Sequence, residues 1–117
     1  DKFHLTGFLN EPDLLKAYAM ADVYCMPSVS EPFGLTALEA AAAGLPIVLS
    51  ENSGASEVLS DALLADFNDT EAFVSHIVKL LKDEKLAEEL AKANKAAVNK
   101  LNWKKPCKQI LTILTEN

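Results

Sequence analysis

The sequence has 117 residues, half of them hydrophobic and 24% charged, with a formal net charge of −6. This composition is typical of one globular domain or part of one, and it excludes a disordered chain. The acidic balance argues against nucleic acid as a partner, because phosphates attract basic surfaces. No apolar run approaches the roughly 18 residues that a membrane-spanning helix needs.

Short apolar runs alternate with helical patterns through the first half of the chain. In chain order, the patterns predict a strand at 3–5, a helix at 11–21, a strand at 23–26, a helix between Gly34 and Gly44, a strand at 47–49, a short helix at 56–59 and a strand at 63–65. All four glycines fall at boundaries between these elements, which supports the segmentation. The alternation predicts an α/β fold, with a parallel sheet covered by helices on both faces.

The pattern then becomes wholly helical. Asn68, followed three residues later by Glu71, predicts a capping box that starts a helix over 72–81. A second amphipathic helix is predicted over 84–101, and Asn102 is expected to cap a third over 103–115. The chain is therefore expected to end in a helical tail.

Cys25 and Cys107 stand in unrelated contexts, without a CxxC pattern or a histidine at ligand spacing. Isolated cysteines of this kind are typical of reduced thiols in a cytoplasmic protein. The chain also lacks an Asp-x-Asp pair and any His/Cys cluster at ligand spacing, so we expect no metal site.

The stretch SVSEPFGLTALEAAAAGLP, residues 28–46, places a loop between a predicted strand and a helix. In parallel α/β sheets, ligands bind beyond the carboxyl ends of the strands, where such loops enter helices. The first amides of this helix, at Gly34, Leu35 and Thr36, lack intrahelical partners and carry partial positive charge. Gly34 has no side chain to block close approach, and the Thr36 hydroxyl is an additional donor. The pattern predicts a phosphate-binding helix start.

Glu39 is the one carboxylate in the otherwise apolar helix LTALEAAAAG. Such a helix is expected to be buried, and a buried carboxylate needs hydrogen-bond donors that the neighbouring sequence does not supply. Glu39 lies one turn beyond Leu35, on the face of the free amides. A ribose joined to a diphosphate would supply donors there. Two alternatives stay open: Glu39 reaches solvent along an exposed stripe, or it pairs with a basic side chain elsewhere.

The spacing of Glu31 and Glu39, in EPFGLTALE followed by AAAAGLPIVLS, resembles the E-x7-E signature of retaining glycosyltransferases of family 4. FHLTGFL, ADVYCMPS and SGASEVL resemble, in order, three further segments of that family, and Trp103 resembles the aromatic residue that begins its last helix. The resemblance covers nearly the whole chain. It implies the Rossmann-like C-terminal domain of a two-domain GT-B enzyme, with residues 1–117 as a single, partial donor-binding domain.

The resemblance also implies roles for individual residues. Glu31 would lie beside the donor sugar, near the reacting centre, and is the expected catalytic residue. The amides of Gly34, Leu35 and Thr36 would hold sugar and diphosphate oxygens, and Glu39 would bind the ribose hydroxyls. The enzyme would move a hexosyl group from a nucleotide-sugar to a saccharide or glycolipid acceptor with retention, and it would require no metal or other cofactor.

Phe33 is also placed in the donor site, although its pattern alone favours a packing role. The segment 50–59 departs from the family pattern, because it lacks the paired glycines and the proline before Glu57. The acceptor-binding N-terminal domain and the basic pair that neutralises the diphosphate are not found in these residues, and the chain opens without an initiator methionine. We therefore expect a fragment that is inactive by itself.

Two other classes of function stay open. One is a nucleotide-sugar epimerase of the same architecture, and the other is a non-catalytic α/β module that binds phosphate or a nucleotide. Lysines at positions 95, 100, 104, 105 and 108 allow peripheral contact with an anionic membrane, although neighbouring acids favour a solvated face. The expected location is the cytoplasm, with or without membrane association.

Overall fold

The structure is a computed structural model that describes residues 2–101. The predicted last helix, with Trp103 and Cys107, lies outside the described residues. The elements in chain order are α1 (Glu11–Met20), β1 (Tyr24–Met26), α2 (Leu35–Ala42), β2 (Ile47–Ser50), a 3-10 helix (Gly54–Glu57), β3 (Leu63–Ala65), α3 (Thr70–Lys82) and α4 (Glu84–Asn99).

The three strands form one parallel sheet in the order β1-β2-β3. In its register Cys25 lies opposite Val48, which in turn lies opposite Leu63. Every residue of the central strand β2 is buried. A parallel strand that is covered on both faces reads as a continuous apolar run, which explains why Ile47-Val48-Leu49 shows no alternation with polar residues.

Helices lie on both faces of this sheet, as the sequence predicts. Ile47 and Leu49 of β2 pack with Ala37 and Ala40 of α2 and with residues of α1. Val48 faces the other way and packs with Phe73 of α3. α4 contacts both α2 and α3. The prediction of an α/β fold with a parallel sheet and a helical tail is confirmed over the described residues.

The predicted strand at 3–5 is wrong. Residues 2–8 form no regular element, and Phe3 and Leu5 are 92% and 91% exposed. A strand needs a neighbour to accept its backbone hydrogen bonds, and no described strand pairs with this segment. The short helix expected at 56–59 is the 3-10 helix that begins two residues earlier, at Gly54.

The capping box predicted at Asn68 is also wrong. The side chain of Asp69 accepts the amide of Ala72 at 3.0 Å, and α3 begins at Thr70. The Asn68 amide instead donates to the side chain of Asp66 at 2.8 Å, in the turn before the helix. The cap therefore lies one residue later than expected. Asn68 belongs to the turn that the Asp66 side chain closes, and Asp69, the residue after it, caps α3.

Candidate functional site

α2 begins directly after the loop that follows β1, at the carboxyl edge of the sheet. Gly34 is its N-cap and adopts the left-handed conformation, with φ 65° and ψ 41°. The amides of Ala37 and Leu38 both donate to the Gly34 carbonyl oxygen, at 3.0 and 3.2 Å. Among the described residues, the amides of Leu35 and Thr36 have no acceptor. Two free donors therefore stand at the positive end of α2.

The Gly34 amide is not free. It donates to Oε1 of Glu31 at 3.2 Å, so the half-buried Glu31 carboxylate lies against the helix start. A negative charge is favourable at that position, because it meets the positive end of the helix dipole. The sequence predicts that this amide donates to a ligand oxygen. In the structure it donates to the Glu31 carboxylate instead.

A second loop, after β2, joins the loop that carries Glu31. Glu31 and Ser53 form an isolated parallel bridge, and the Gly54 amide donates to the Glu31 carbonyl oxygen at 2.7 Å. The Ser50 hydroxyl donates to the Ser28 carbonyl oxygen at 2.6 Å. Segment 50–59, whose sequence departs from the family pattern, thus contacts the loop of the candidate site through its backbone and through the Ser50 hydroxyl.

Two glycines permit this close approach. A Cβ atom on Gly54 would collide with the carbonyl oxygen of Pro32. A Cβ atom on Gly34 would lie 2.7 Å from the Cβ atom of Ala55, in a residue that is already at positive φ. Neither position accepts a larger residue without moving one loop away from the other.

Glu39 is exposed, and the expectation that its helix buries it is wrong. α2 buries Ala37, Ala40 and Ala41 but exposes Glu39 and, one turn earlier, Leu35. The helix packs on the sheet and α4 along the side that carries these alanines, and the other side, with Thr36 and Glu39, is left open. Of the two alternatives that the sequence left open, the structure shows the one in which Glu39 reaches solvent.

Glu39 nevertheless has a donor within the chain. The Tyr18 hydroxyl, from α1, lies 3.3 Å from Oε2 of Glu39 and 3.4 Å from the carbonyl oxygen of Thr36. Tyr18 is buried, with 7% of its surface exposed. Burial raises the pKa of Tyr18 to about 12, and the negative charge of Glu39 adds to the effect. The phenol is therefore protonated at neutral pH and acts as a donor to Glu39.

A second tyrosine lies beside the first. The rings of Tyr18 and Tyr24 are in edge contact, with centroids 6.3 Å apart and an interplanar angle of 61°. The Tyr24 hydroxyl lies 2.7 Å from Oγ1 of Thr36, and burial raises the pKa of Tyr24 as well. The Thr36 hydroxyl, expected to be a donor to a ligand, is therefore paired with Tyr24.

Phe33 is 74% exposed and does not pack against the core of the described residues. It lies at the outer surface of the loop, between the half-buried Glu31 and the buried Gly34. The packing role that its pattern favours is therefore wrong, and its side chain stands beside the free end of α2.

Sequence reasoning missed Tyr18, Tyr24, Ser53 and Gly54. A signal for the tyrosines existed, because a phenol in an apolar pattern usually needs a hydrogen-bond partner. A signal for the second loop existed too, because loops after neighbouring parallel strands meet at one edge of the sheet. The partner of each group could not be named from the sequence, because each contact depends on how α1, α2 and the strands pack.

Concavities on the described residues include a smaller and a larger one. One, of about 260 Å³, is beside Glu39 and is otherwise apolar, lined by Leu35, Leu38, Ala42, Val98 and Leu101. The larger, of about 420 Å³, lies at the amino ends of the strands, beside Asp22, Pro46 and Glu88. Of the candidate residues, Leu35 and Glu39 line the smaller one, whereas Glu31, Gly34 and Thr36 lie outside its lining. We place the candidate site at the start of α2 and along its exposed face, because ligands of parallel sheets bind at the carboxyl edge.

Within residues 2–101, no group of three His, Cys, Asp or Glu side chains could hold a metal ion. No helix in this part of the chain is both long and apolar enough to cross a membrane. Cys25 is a free, exposed thiol.

Comparison with known sequences identifies relatives. The family model of glycosyl transferases group 1 matches residues 1–97. The sucrose-phosphate synthase of Zea mays is 34% identical over 125 residues, which cover 96% of this chain and 12% of that protein. The O-antigen chain mannosyltransferase B of Escherichia coli is 37% identical over 98 residues, covering 83% of this chain and 26% of that protein. The chain thus spans a small part of the length of these relatives.

Solved structures show the same fold. The sucrose-phosphate synthase from Thermosynechococcus elongatus superimposes with a TM-score of 0.84 at 30% identity, over 97% of this chain and 29% of that one. A structure described as trehalose-6-phosphate from E. coli bound with UDP-2-fluoro glucose gives a TM-score of 0.85 at 18% identity, over 98% and 27%. The chain belongs to the glycosyl transferases group 1 family.

Proposed function

We propose that these residues form the donor-binding part of a retaining glycosyltransferase of family 4, which moves a hexosyl group from a nucleotide-sugar to a saccharide or glycolipid acceptor. One observation carries the proposal. The free amides of Leu35 and Thr36 and the carboxylate of Glu39 lie on one exposed face of α2, about one turn apart. A diphosphate and the ribose attached to it need this order of donors and acceptor.

The relatives support this class of substrate. One of them is by name a mannosyltransferase, and one structural neighbour is described with a bound nucleotide-sugar analogue, UDP-2-fluoro glucose. Both match this chain over the segment that carries the candidate site. We carry the nucleotide-sugar to this chain on that basis, and the base and the sugar are left to experiment.

In the proposed complex, the amides of Leu35 and Thr36 donate to diphosphate oxygens and stabilise the charge that develops as the sugar leaves. Glu31 turns from the Gly34 amide to the hydroxyls of the donor sugar, beside the reacting carbon. The freed amide then joins the other two. Glu39 accepts from the ribose hydroxyls, and the exposed ring of Phe33 flanks the donor.

Other parts of the activity are assigned to residues beyond these 117. The acceptor binds to a second, N-terminal domain, and basic side chains of the intact protein neutralise the diphosphate. The chain alone is therefore expected to be inactive. Metal-independent transfer, a cytoplasmic location and peripheral membrane contact through the late lysines stay predictions.

Nucleotide binding tests the role of Glu39. Calorimetric titration of the intact protein with UDP, ADP and GDP should identify the diphosphate that binds. Glu39→Ala should weaken its binding by about 1–3 kcal/mol, because hydrogen bonds to a charged acceptor are lost. Glu88→Ala is the matched control, since it removes an exposed carboxylate beside the other concavity. Weaker binding in the control with no change in Glu39→Ala would move the ligand to the other end of the sheet and refute the proposal.

Sugar transfer tests the role of Glu31. Glu31→Gln, which keeps the shape and an acceptor oxygen, should leave nucleoside diphosphate binding nearly unchanged and lower the transfer rate, because the side chain contacts the sugar rather than the nucleotide. Analysis of the products separates transfer from epimerisation of the donor. Equal losses of nucleotide binding and of transfer would contradict the assigned role.

A further inference from the structure

We infer that Tyr18 is a positioning residue: its hydroxyl holds the Glu39 carboxylate in the orientation that accepts two neighbouring hydroxyls, and so makes the site selective for ribonucleoside over dideoxyribonucleoside diphosphates. This inference rests on the proposed function and deepens it. It concerns α1, an element that contributes none of the residues expected at the site.

The Tyr18 hydroxyl has a fixed position. The ring is 7% exposed and lies in edge contact with Tyr24. Its hydroxyl reaches the carbonyl oxygen of Thr36 at 3.4 Å as well as Oε2 of Glu39 at 3.3 Å. A buried ring held by its neighbours has one conformation, so the position of its hydroxyl oxygen beside Glu39 is fixed, and its single proton can point to either of these two acceptors.

Glu39 has the opposite character. Its side chain is exposed on the outer face of α2 and has three rotatable bonds, so without a partner it samples many rotamers. The hydrogen bond from the Tyr18 hydroxyl to Oε2 favours those Glu39 rotamers in which the carboxylate remains in contact with Tyr18 of α1. Oε1 and the remaining lone pair of Oε2 are then available together to a ligand.

A pair of adjacent acceptors fits a pair of adjacent hydroxyls. The 2′ and 3′ hydroxyls of a ribose can each donate to one oxygen of an oriented carboxylate, whereas a dideoxyribose has no such donors. Preorganisation matters most for this paired contact, because both hydrogen bonds form only in one orientation of the carboxylate. The loss of the Tyr18 hydroxyl should therefore reduce the preference for ribose. The affinity for the dideoxyribonucleoside diphosphate should not change.

Titration of the intact protein tests the inference with UDP, ADP and GDP, each beside its 2′,3′-dideoxy analogue. The wild type should bind the preferred ribonucleotide at least roughly tenfold more tightly than its analogue. Tyr18→Phe keeps the ring and removes the hydroxyl, and it should reduce this ratio by roughly fivefold through weaker binding of the ribonucleotide alone. In a Glu39→Ala background, Tyr18→Phe should have no further effect, because the two residues act through one contact.

Tyr24→Phe is the matched control. It also removes a hydroxyl from one ring of the pair, but that hydroxyl faces Oγ1 of Thr36 and not Glu39. Its ratio of ribonucleotide to dideoxynucleotide affinity should equal that of the wild type. A ratio that falls equally in Tyr24→Phe and Tyr18→Phe would assign the effect to ring packing and overturn the inference.

The outcomes separate this inference from the proposed function. If the wild type binds no nucleoside diphosphate, or binds both sugar forms equally, the proposed function fails and this inference fails with it. If Glu39→Ala abolishes the preference and folded Tyr18→Phe retains it, the inference alone fails.

A fluorinated tyrosine at position 18 covers the case in which Tyr18→Phe does not fold. This substitution keeps the shape and the hydroxyl but lowers the pH at which the hydroxyl ionises. Ribonucleotide affinity should then fall as the pH rises, because a phenolate repels the Glu39 carboxylate, while dideoxynucleotide affinity stays constant. A pH profile identical to that of the wild type would overturn the inference.

Discussion

At the scale of single residues, the buried phenol of Tyr18 couples the stability of the fold to pH. Its pKa is raised from 10.0 to about 12 by burial and by the Glu39 charge. Between these two values, the folded chain retains a proton that the unfolded chain gives up. The stabilisation is complete below the lower value, and it is lost as pH rises through the higher one.

The free energy of unfolding should therefore fall between pH 10 and 12, by up to about 1.4 kcal/mol per pH unit from this group. Denaturant unfolding of the wild type and of Tyr18→Phe across this range measures the effect as the difference between the two proteins, so that the titration of lysines cancels. A constant difference across the range would show that the phenol does not keep its proton in the folded state.

Residue by residue, the sequence proposed candidate site residues that lie within one loop and one helix. Glu31, Gly34 and Glu39 could be found from spacing, because a helix start and its first turn are set by local geometry. The environment of Glu39 could not. The apolar composition of α2 predicts a buried helix, but only the side with Ala37, Ala40 and Ala41 is covered, and composition does not show which side that is.

At the scale of elements, the candidate site depends on contact between two loops. Gly54→Ala places a Cβ atom against the backbone of Pro32, and since backbone cannot rotate away, the loops must separate. We expect a loss of about 1–3 kcal/mol in the free energy of unfolding, together with weaker nucleoside diphosphate binding by the intact protein.

Gly44→Ala is the matched control for that prediction. Gly44 has φ +91°, so alanine is strained there, but nothing lies within 4 Å of the added Cβ atom. Thermal unfolding should show destabilisation in both variants, whereas titration should show weaker binding in Gly54→Ala alone. Unchanged nucleotide affinity in a folded Gly54→Ala variant would mean that the contact between the loops does not shape the site.

Elements were predictable where local chemistry was sufficient. The strand at 63–65 lies where its apolar run predicts it. α4 begins at Glu84, as predicted, and its first turn is marked by that acidic residue. The segment at 3–5 has the same apolar character but no neighbouring strand among the described residues, so local pattern did not decide its structure. Strand formation depends on a partner, and a partner cannot be read from the strand itself.

At the scale of the whole molecule, alternation of elements was enough to predict a parallel sheet with its candidate site at the carboxyl edge. Pattern gave no indication of the larger concavity at the opposite edge, because that concavity arises from the packing of α3 and α4 against the loops before β1 and β2. The relatives establish the family, while the chain spans 12% of one of them and 29% of one solved neighbour. The experiments described above are therefore the test of the activity of the intact protein.

The backbone pairing of Glu31 with Ser53 and Gly54 has a consequence for protein engineering. Main-chain groups of these residues hold the two tips together, so the outward Val29 side chain is not a structural support. Val29 and Asn52 are exposed there, and Asn52 adds one long side-chain contact, 3.3 Å, to the Val29 carbonyl oxygen. Under the proposed function, a random library at Val29 therefore changes the surface beside the donor site on a scaffold that keeps its shape.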